Sequence, residues 1–305
     1  MIPRRPTRVL LTGWFSFLHG EATAGDVLAA EAMGTALAAA GVEHRAAWSP
    51  GFRPDRPGLD DCDPRDFSHL LFVCGPLHSR PPAPILDLHR RYADLRRIAA
   101  GVSVQDPADP AVLGFHRVLA RDGQGRPGRD LAGYAAPVEP PGPPVLGVIL
   151  TRGQQEYGGR RRHEAVIAGV EDWLGGVDAA RLQLETRLDR ADWRLMRTPA
   201  QLHSVLARLD AVVTNRLHGL VLALRAGVPA IAVDPVAGGA KVSAQAEALN
   251  WPAVLAADEV GGGVLDSWLR WCLGPEGRAA ALRAGLPGAP SGSGLIAAVL
   301  DELRR

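Results

Sequence analysis

Two ionisable side chains lie between an apolar run and a helical pattern in the segment DAVVTNRLHGLVLALRAGVP (210–229). The run up to 214 predicts a buried strand, and leucines at helical spacing after 216 predict a helix. Arg216 and His218 therefore fall at the start of a helix, where free N–H groups and the helix dipole favour an anion. Arginine adds a planar fork suited to carboxylate or phosphate. The pattern predicts an anion site; the alternative is an arginine capping a neighbouring loop and a histidine satisfied in the core.

Two further cations occupy comparable positions. Arg152 follows the apolar run VLGVILT (145–151), which predicts another strand. Lys241 is the one lysine of the chain, and it begins a predicted helix near 241–249. Either could add positive charge at a strand or helix end. The alternatives are a solvated loop arginine and a surface lysine.

Composition excludes several classes of protein. The chain is 47% hydrophobic and 22% charged with a net charge of +1, which gives no reason to expect nucleic acid as a partner. The cluster at 160–163 (RRRH) lacks the interleaved aromatic residues of a nucleic-acid surface. Three widely spaced cysteines argue against disulfides and thiolate metal sites, and the histidines show no metal-ligand spacing. We expect neither a metal nor a cofactor.

The sequence also gives no sign of a membrane segment. No stretch approaches the roughly 20 apolar residues that span a bilayer. The apolar run near residue 10 is too short for a signal peptide and has no small-residue cleavage site. We therefore expect a cytoplasmic protein.

Strands and helices alternate through both halves of the chain. In the first half we predict strands at 7–12, 44–48, 68–74 and 102–104, with helices from Asp26 and over 85–100. Asp26 is the predicted N-cap of its helix, and Gly41 the predicted stop. This alternation is typical of βαβ units in a parallel sheet.

A Gly- and Pro-rich segment at 121–144 interrupts the alternation and predicts an interdomain linker. We therefore predict a Rossmann-like domain over 1–120 and a second over 145–305. Strands at 145–151, 182–186, 211–214 and 229–234 are expected in the second, with helices between and after them. Two such α/β halves predict a ligand site in a cleft between them.

The segment around Arg216 resembles a known family. The run Arg216-Leu217-His218-Gly219 leads into a helix, an Ala-Gly-Val-Pro turn, a strand and then Lys241-Val242. This order is similar to the C-terminal signature of polysaccharide pyruvyl transferases. The N-terminal half matches less closely: Gly13 and then Gly25-Asp26 stand where the family has a glycine-rich loop and a helix.

The resemblance implies a fold similar to the GT-B glycosyltransferases, with two Rossmann-like halves facing a cleft. It also implies that phosphoenolpyruvate is the donor and that a pyruvate ketal on a sugar is the product. The donor would bind to the C-terminal half and the sugar or glycan acceptor to the N-terminal half. Phosphoenolpyruvate would be a co-substrate, and peripheral contact with a lipid-linked glycan is compatible with this activity.

Site residues follow from the resemblance and from the charge of the donor. Phosphoenolpyruvate carries a phosphate and a carboxylate, so its site needs several cations. The residues expected to bind it are Arg216, Arg152, Lys241, Leu217 and Gly219. His218 is expected to act as acid or phosphate partner. Asp26 is expected to act as base on the sugar, although N-capping explains it equally well.

Two other functions remain open at this point. A sugar-nucleotide glycosyltransferase of the GT-B type would share the fold, because fold does not fix chemistry. Such an enzyme would need a late carboxylate for the ribose, for which Glu247 is the available candidate. The altered N-terminal loops also allow a non-catalytic family member that binds a glycan.

Overall fold

Short aliphatic runs form two separate sheets in the computed structural model, which describes residues 6–18, 22–123, 125–153, 155–285 and 294–304. The chain divides into two compact units, Met1–Val138 and Glu139–Arg305. Each unit has its own parallel sheet and its own apolar core. The predicted class, two α/β halves, is confirmed by these sheets. Their arrangement about a cleft stays a prediction.

The first sheet has six parallel strands in the order β2-β1-β3-β5-β4, with β6 paired to β5. Its strands are β1 Arg8–Thr12, β2 Glu43–Ala46, β3 His69–Val73, β4 Pro76–Leu77, β5 Arg96–Val104 and β6 Arg117–Asp122. Its helices are α1 Ala24–Ala39, α2 Pro84–Arg91 and the single turn α3 Pro110–Leu113. Buried residues of β1 and β3 such as Leu10 and Phe72 form the centre of the core.

Three predictions for this unit need correction. Thr23, not Asp26, is the N-cap of α1: its hydroxyl accepts the Asp26 N–H, and the Asp26 carboxylate accepts the Thr23 N–H in return. The helix predicted over 85–100 ends at Arg91, because the apolar residues from 96 onward alternate as a strand and form β5. Gly41 does follow the end of α1 in the left-handed conformation, as predicted.

The third correction concerns the linker. Residues 121–138 belong to the first unit, which ends at Val138. Arg121, near the end of β6, forms ion pairs with Asp122 and Asp130. Leu131 packs against the core around α1. The Gly- and Pro-rich composition excluded a long helix but not these local contacts.

The second sheet has five parallel strands in the order β11-β10-β9-β7-β8. They are β7 Val145–Ile149, β8 Ala180–Gln183, β9 Ala211–Thr214, β10 Ala230–Val233 and β11 Val254–Leu255. The helices are α4 His163–Gly176, α5 Pro199–Leu206, α6 Leu217–Arg225, α7 Lys241–Ala248, α8 Gly262–Leu273, α9 Pro275–Ala284 and α10 Gly294–Leu303. β11 and α9 were not predicted.

The central strands of the second sheet are fully buried. Every residue of β9 and β10 is buried, which is the pattern of parallel strands covered on both faces. The core packs around them with α4, α6 and α8. Of the residues described, no helix is long and apolar enough to cross a membrane.

Candidate functional site

The carboxyl ends of four neighbouring strands in the second unit bring the predicted cations to one edge of the sheet. The order β10-β9-β7-β8 is continuous, and Ile149 pairs with Thr214 near the ends of β7 and β9. Arg152 follows β7 and Arg216 follows β9, so the two arginines leave adjacent strands. This edge is where open parallel sheets bind ligands.

Arg216 is held at the start of α6 by the last residue of β9. The Thr214 hydroxyl accepts the Arg216 N–H at 3.0 Å and donates to the Ile149 carbonyl at 2.8 Å. Arg216 is the N-cap of α6, and no side chain caps that helix. The first N–H groups of α6 are therefore left for another acceptor.

The Arg216 side chain forms an ion pair with Glu185, which follows β8. The two side chains are 28% and 34% exposed, so the pair is neither buried nor fully solvated. Glu185 also accepts the backbone N–H groups of Thr186 at 2.7 Å and Arg187 at 3.0 Å. Arg216 thus has a fixed carboxylate partner at the edge of the sheet.

Asn215 joins the loops that carry the two arginines. Its Oδ1 accepts the Thr151 N–H at 2.7 Å, and its Nδ2 donates to the Thr151 carbonyl at 3.0 Å. The Asn215 side chain is completely buried. This pair of hydrogen bonds fixes the backbone just before Arg152 relative to the backbone just before Arg216.

Arg152 lies on a pocket of about 630 Å³ formed by β7, β8, α4 and the loop around 195. Its guanidinium pairs with Glu164 and, at 3.5 Å, with Glu171. The pocket floor is apolar, and its charged lining consists of Arg152, Arg181, Arg194, Glu171 and Glu185. Because Glu185 also bonds to Arg216, the pocket and the Arg216 site share a residue.

Lys241 is placed by a buried carboxylate. Asp234, the residue after β10, is completely buried and accepts the N–H groups of Val236, Ala240 and Ser243 at 2.7–3.1 Å. These bonds fold the turn that starts α7 at Lys241. The ammonium lies 3.7 Å from the Glu156 carboxylate and 5.6 Å from the centre of the Tyr157 ring.

The remaining motif residues have different surroundings. His218 is exposed, and no hydrogen bond to its imidazole is found among the described residues. Leu217 is partly buried and packs against the core of its unit. Gly219 is buried where α6 crosses β9: a Cβ there would lie 2.2 Å from the Thr214 Oγ1. Gly219 therefore has a packing role, and its contact with a substrate stays a prediction.

Asp26 lies in the other unit. Its carboxylate accepts the Thr23 N–H at 3.1 Å and the Thr23 hydroxyl at 2.8 Å. Burial raises the pKa of Cys74, and the hydrogen bond to Asp26 raises it further, so this thiol stays protonated. These contacts occupy Asp26 as a helix-start residue; its role as a base stays a prediction.

Three residues at the second sheet edge were missed in the sequence. They are Glu185, Asn215 and Asp234. Asn215 stands directly after a predicted buried strand and Asp234 at the end of another, positions that signal a role at the sheet edge. Glu185 gives no such signal, because its partner is 31 positions away. No group of three or more possible metal ligands occurs in the described ranges.

Comparison with known proteins finds one family model that matches part of the chain. Residues 161–235 match the family described as "Polysaccharide pyruvyl transferase". The segment includes Arg216 to Gly219 but stops before Lys241 and begins after Arg152. None of the curated proteins compared with this chain matches it.

Several solved structures are similar to this chain at a low level. The calicheamicin glycosyltransferase CalG4 is 16% identical, with 98% of each chain covered and a TM-score of 0.34. The glycosyltransferase SnogD from Streptomyces nogalater is 14% identical, with 92% of this chain and 94% of that chain covered and a TM-score of 0.31. A putative UDP-N-acetylglucosamine 2-epimerase from Listeria monocytogenes is 12% identical, with 98% and 96% covered and a TM-score of 0.30. Likeness at this level carries no argument about function.

The fold is that of an α/β protein, and two arginines, Arg152 and Arg216, follow adjacent strands of its second parallel sheet. Its segment 161–235 matches the family model of the polysaccharide pyruvyl transferases. The resemblance predicted from the Arg216 motif is thereby confirmed over this segment.

Proposed function

We propose that this protein transfers pyruvate from phosphoenolpyruvate onto a sugar of a polysaccharide or glycan precursor, forming a ketal. One observation supports the proposal above the others: Arg152 and Arg216 leave adjacent strands, and the Asn215 side chain joins the two loops that carry them. Two arginines at adjacent strand ends, one of them at an uncapped helix start, suit a small donor that carries both a carboxylate and a phosphate. Lys241 from the next strand end adds a third cation.

In this proposal each cation has one partner on the donor. Arg216 and Arg152 clamp the carboxylate and the phosphate, and the Lys241 ammonium contacts the phosphate. The N–H groups of Leu217 and Gly219 at the start of α6 add neutral donors. Both arginines now pair with glutamates, so the donor would replace or share those contacts.

The reaction itself needs one proton delivered and two removed. His218 gives a proton to the methylene carbon of phosphoenolpyruvate, or binds the phosphate as that proton arrives, which leaves an electrophilic carbon at C2. One sugar hydroxyl oxygen bonds to C2 and loses its proton to a base, for which Asp26 is the predicted candidate. A second hydroxyl oxygen then bonds to C2, the C2–O bond to phosphate breaks, and phosphate leaves while the second hydroxyl proton passes to solvent.

The first unit offers a pocket whose lining suits a sugar. It measures about 380 Å³ and is bordered by Trp14 and Phe17, with Asp60, Asp87 and Arg91 among its other lining residues. Aromatic rings pack against the apolar faces of sugars, and carboxylates accept hydrogen bonds from hydroxyl groups. This supports the acceptor role proposed for the N-terminal half, with a lipid-linked glycan as one acceptor that a cytoplasmic enzyme could meet at a membrane surface.

Phosphate release tests the proposal. The purified protein would be incubated with phosphoenolpyruvate and a panel of lipid-linked and nucleotide-linked sugars, and phosphate would be measured over time. We expect release with at least one acceptor and a product heavier by one pyruvate ketal. Calorimetric titration with phosphoenolpyruvate, UDP-sugars and GDP-sugars identifies the donor. Binding of a sugar nucleotide alone would favour a glycosyltransferase, and donor binding without phosphate release would favour a non-catalytic member.

A further inference from the structure

Glu185 is the only carboxylate that contacts the Arg216 guanidinium within the described part of the chain. It follows β8, two strands away from β9 in the sheet, with β7 between them. The contact therefore crosses above the carboxyl end of β7, the strand that leads to Arg152. Glu185, Arg152 and Arg216 form a row along three neighbouring strand ends.

The carboxylate of Glu185 is itself held in place. The backbone N–H groups of Thr186 and Arg187 both donate to its Oε1. That oxygen also takes the bond from Arg216 Nη1. A side chain fixed by two backbone groups is a rigid anchor, since it has few rotamers left to lose.

The geometry leaves most of the guanidinium available. Arginine has five N–H donors in a planar fork, and Glu185 uses one nitrogen, Nη1. The bond restrains the side chain, which otherwise samples many rotamers. A restrained guanidinium binds an anion with less loss of entropy than a mobile one.

We propose that Glu185 is a positioning residue that holds Arg216 ready for the carboxylate or phosphate of the donor. This inference rests on the proposed function, because it names the partner that orients a donor-binding arginine. It differs from a simple counter-ion role, in which removal of Glu185 would free Arg216 and strengthen anion binding.

Calorimetry with phosphoenolpyruvate separates the two roles. Glu185→Ala removes the anchor, and we expect its Kd for phosphoenolpyruvate to rise about tenfold or more. Glu185→Gln keeps an oxygen acceptor at the same place, and we expect a Kd within about threefold of the wild type. An alanine variant that binds as tightly as the wild type, or a glutamine variant that binds tenfold tighter, would overturn the proposal.

A second measurement does not depend on the donor. Phenylglyoxal modifies arginine side chains, and mass spectrometry reports the rate at the peptide that contains Arg216. We expect Glu185→Ala to react at least about threefold faster and Glu185→Gln to react like the wild type, because a hydrogen-bonded guanidinium is protected. Equal rates in all three proteins would refute the positioning role. If the wild type binds no phosphoenolpyruvate but the modification rates differ as expected, the proposed function fails, while the restraint of Arg216 by Glu185 is still supported.

Glu43→Ala is the matched control. Glu43, the first residue of β2, also forms an ion pair with an arginine, but its partner is Arg8 at the start of β1 in the first unit. We expect this variant to leave both the donor Kd and the Arg216 modification rate unchanged.

Discussion

The side chains at the edge of the second sheet differ in whether they already form ion pairs or hydrogen bonds within the protein. Arg152 and Arg216 are paired with glutamates, and Lys241 lies near Glu156. His218 differs from them, because it is exposed and no described residue bonds to its ring. The proposed function assigns proton transfer to this residue.

Removal of the His218 imidazole tests that role. We expect His218→Ala to lower turnover by about 10²-fold or more, the size of a lost acid or base, with no change in thermal stability. Phosphate release and a melting curve measure the two effects. His203→Ala is the control, because His203 is also an exposed helical histidine of the same unit. Near-normal turnover in His218→Ala would remove this residue from the mechanism.

Lys241 is tested by a change that keeps its charge. A compact ammonium at the start of α7 reaches a phosphate in a way that the longer, planar guanidinium cannot reproduce. We expect Lys241→Arg to raise the KM for phosphoenolpyruvate about threefold to tenfold with a smaller change in kcat. Arg160→Lys, a charge-conserving change at an exposed neighbour, is the control. An unchanged KM would leave Lys241 as a surface residue.

The sequence predicted the cations of this site and missed the residues that hold them. Arg216 was identified because a buried strand and a helical pattern meet at it. Glu185 could not be identified in the same way, since the ion pair depends on the order of strands in the sheet. Local patterns predict where a strand ends but not which strand ends are neighbours.

At the scale of elements, the contact between α6 and β9 sets the height of the helix start above the sheet. Gly219 lies in the first turn of α6 and faces Thr214, the last residue of β9. The same threonine hydroxyl binds the Arg216 N–H. The absence of a side chain at 219 therefore lets the helix approach close enough for this bond.

Gly219→Ala should disturb that approach. The added Cβ would lie 2.2 Å from Thr214 Oγ1 and 2.9 Å from its Cβ, so the helix or the strand must shift. We expect a loss of about 1–3 kcal/mol of stability, measured by urea unfolding. Gly175→Ala in α4 is the control, because nothing lies within 4 Å of that position and alanine favours a helix. A Gly219→Ala protein as stable as the wild type would contradict the packing role.

Helices and strands were predicted well where the apolar residues keep one spacing, helical or alternating. They were predicted poorly where one spacing changes into the other. The bounds of β9 were predicted correctly from four consecutive buried residues. The segment 96–104 was assigned partly to a helix, because its run of alanine and isoleucine follows α2 after only a short turn. Its partners β3, β4 and β6 decide its conformation, and they are distant in sequence.

For the whole molecule, each unit depends on its own core and contains half-buried or buried histidines. Burial lowers the pKa of His69 and His89 in the first unit and of His163 in the second. The pKa of each ring lies below its ordinary value of 6.5, so the folded state favours the neutral form. Protonation of these rings opposes folding.

Stability should therefore fall as the pH drops below about 6.5. Below that pH the unfolded chain binds more protons at these histidines than the folded chain does, so the free energy of unfolding decreases. Paired carboxylates such as Asp63 and Asp192 have a pKa of about 2 and stay ionised in this range. Melting temperatures between pH 5 and 8 at constant ionic strength measure the effect. A flat or rising curve toward pH 5 would contradict it.

The division into two α/β halves could be predicted because alternation of strands and helices survives in both. The boundary could not be placed, because glycine and proline at 121–144 mark irregular backbone whether or not it packs. Residues up to Val138 pack with the first unit through contacts such as that of Leu131 with the core around α1. Glycine and proline content shows where helices and strands end. The boundary of a domain depends on which residues pack together, and this requires the fold.

The side-chain amide of Asn215 adds a pair of hydrogen bonds between the ends of β7 and β9, beyond the last pair of residues in the two strands. Neighbouring strands lie about 4.8 Å apart, so this pair of hydrogen bonds holds the two loops at about the same spacing. The backbone at Thr151 and Asn215, the residues just before Arg152 and Arg216, is consequently held at a nearly constant separation. If Arg152 and Arg216 bind the donor as proposed, the spacing of the strands sets how far apart the two loops can present their cations.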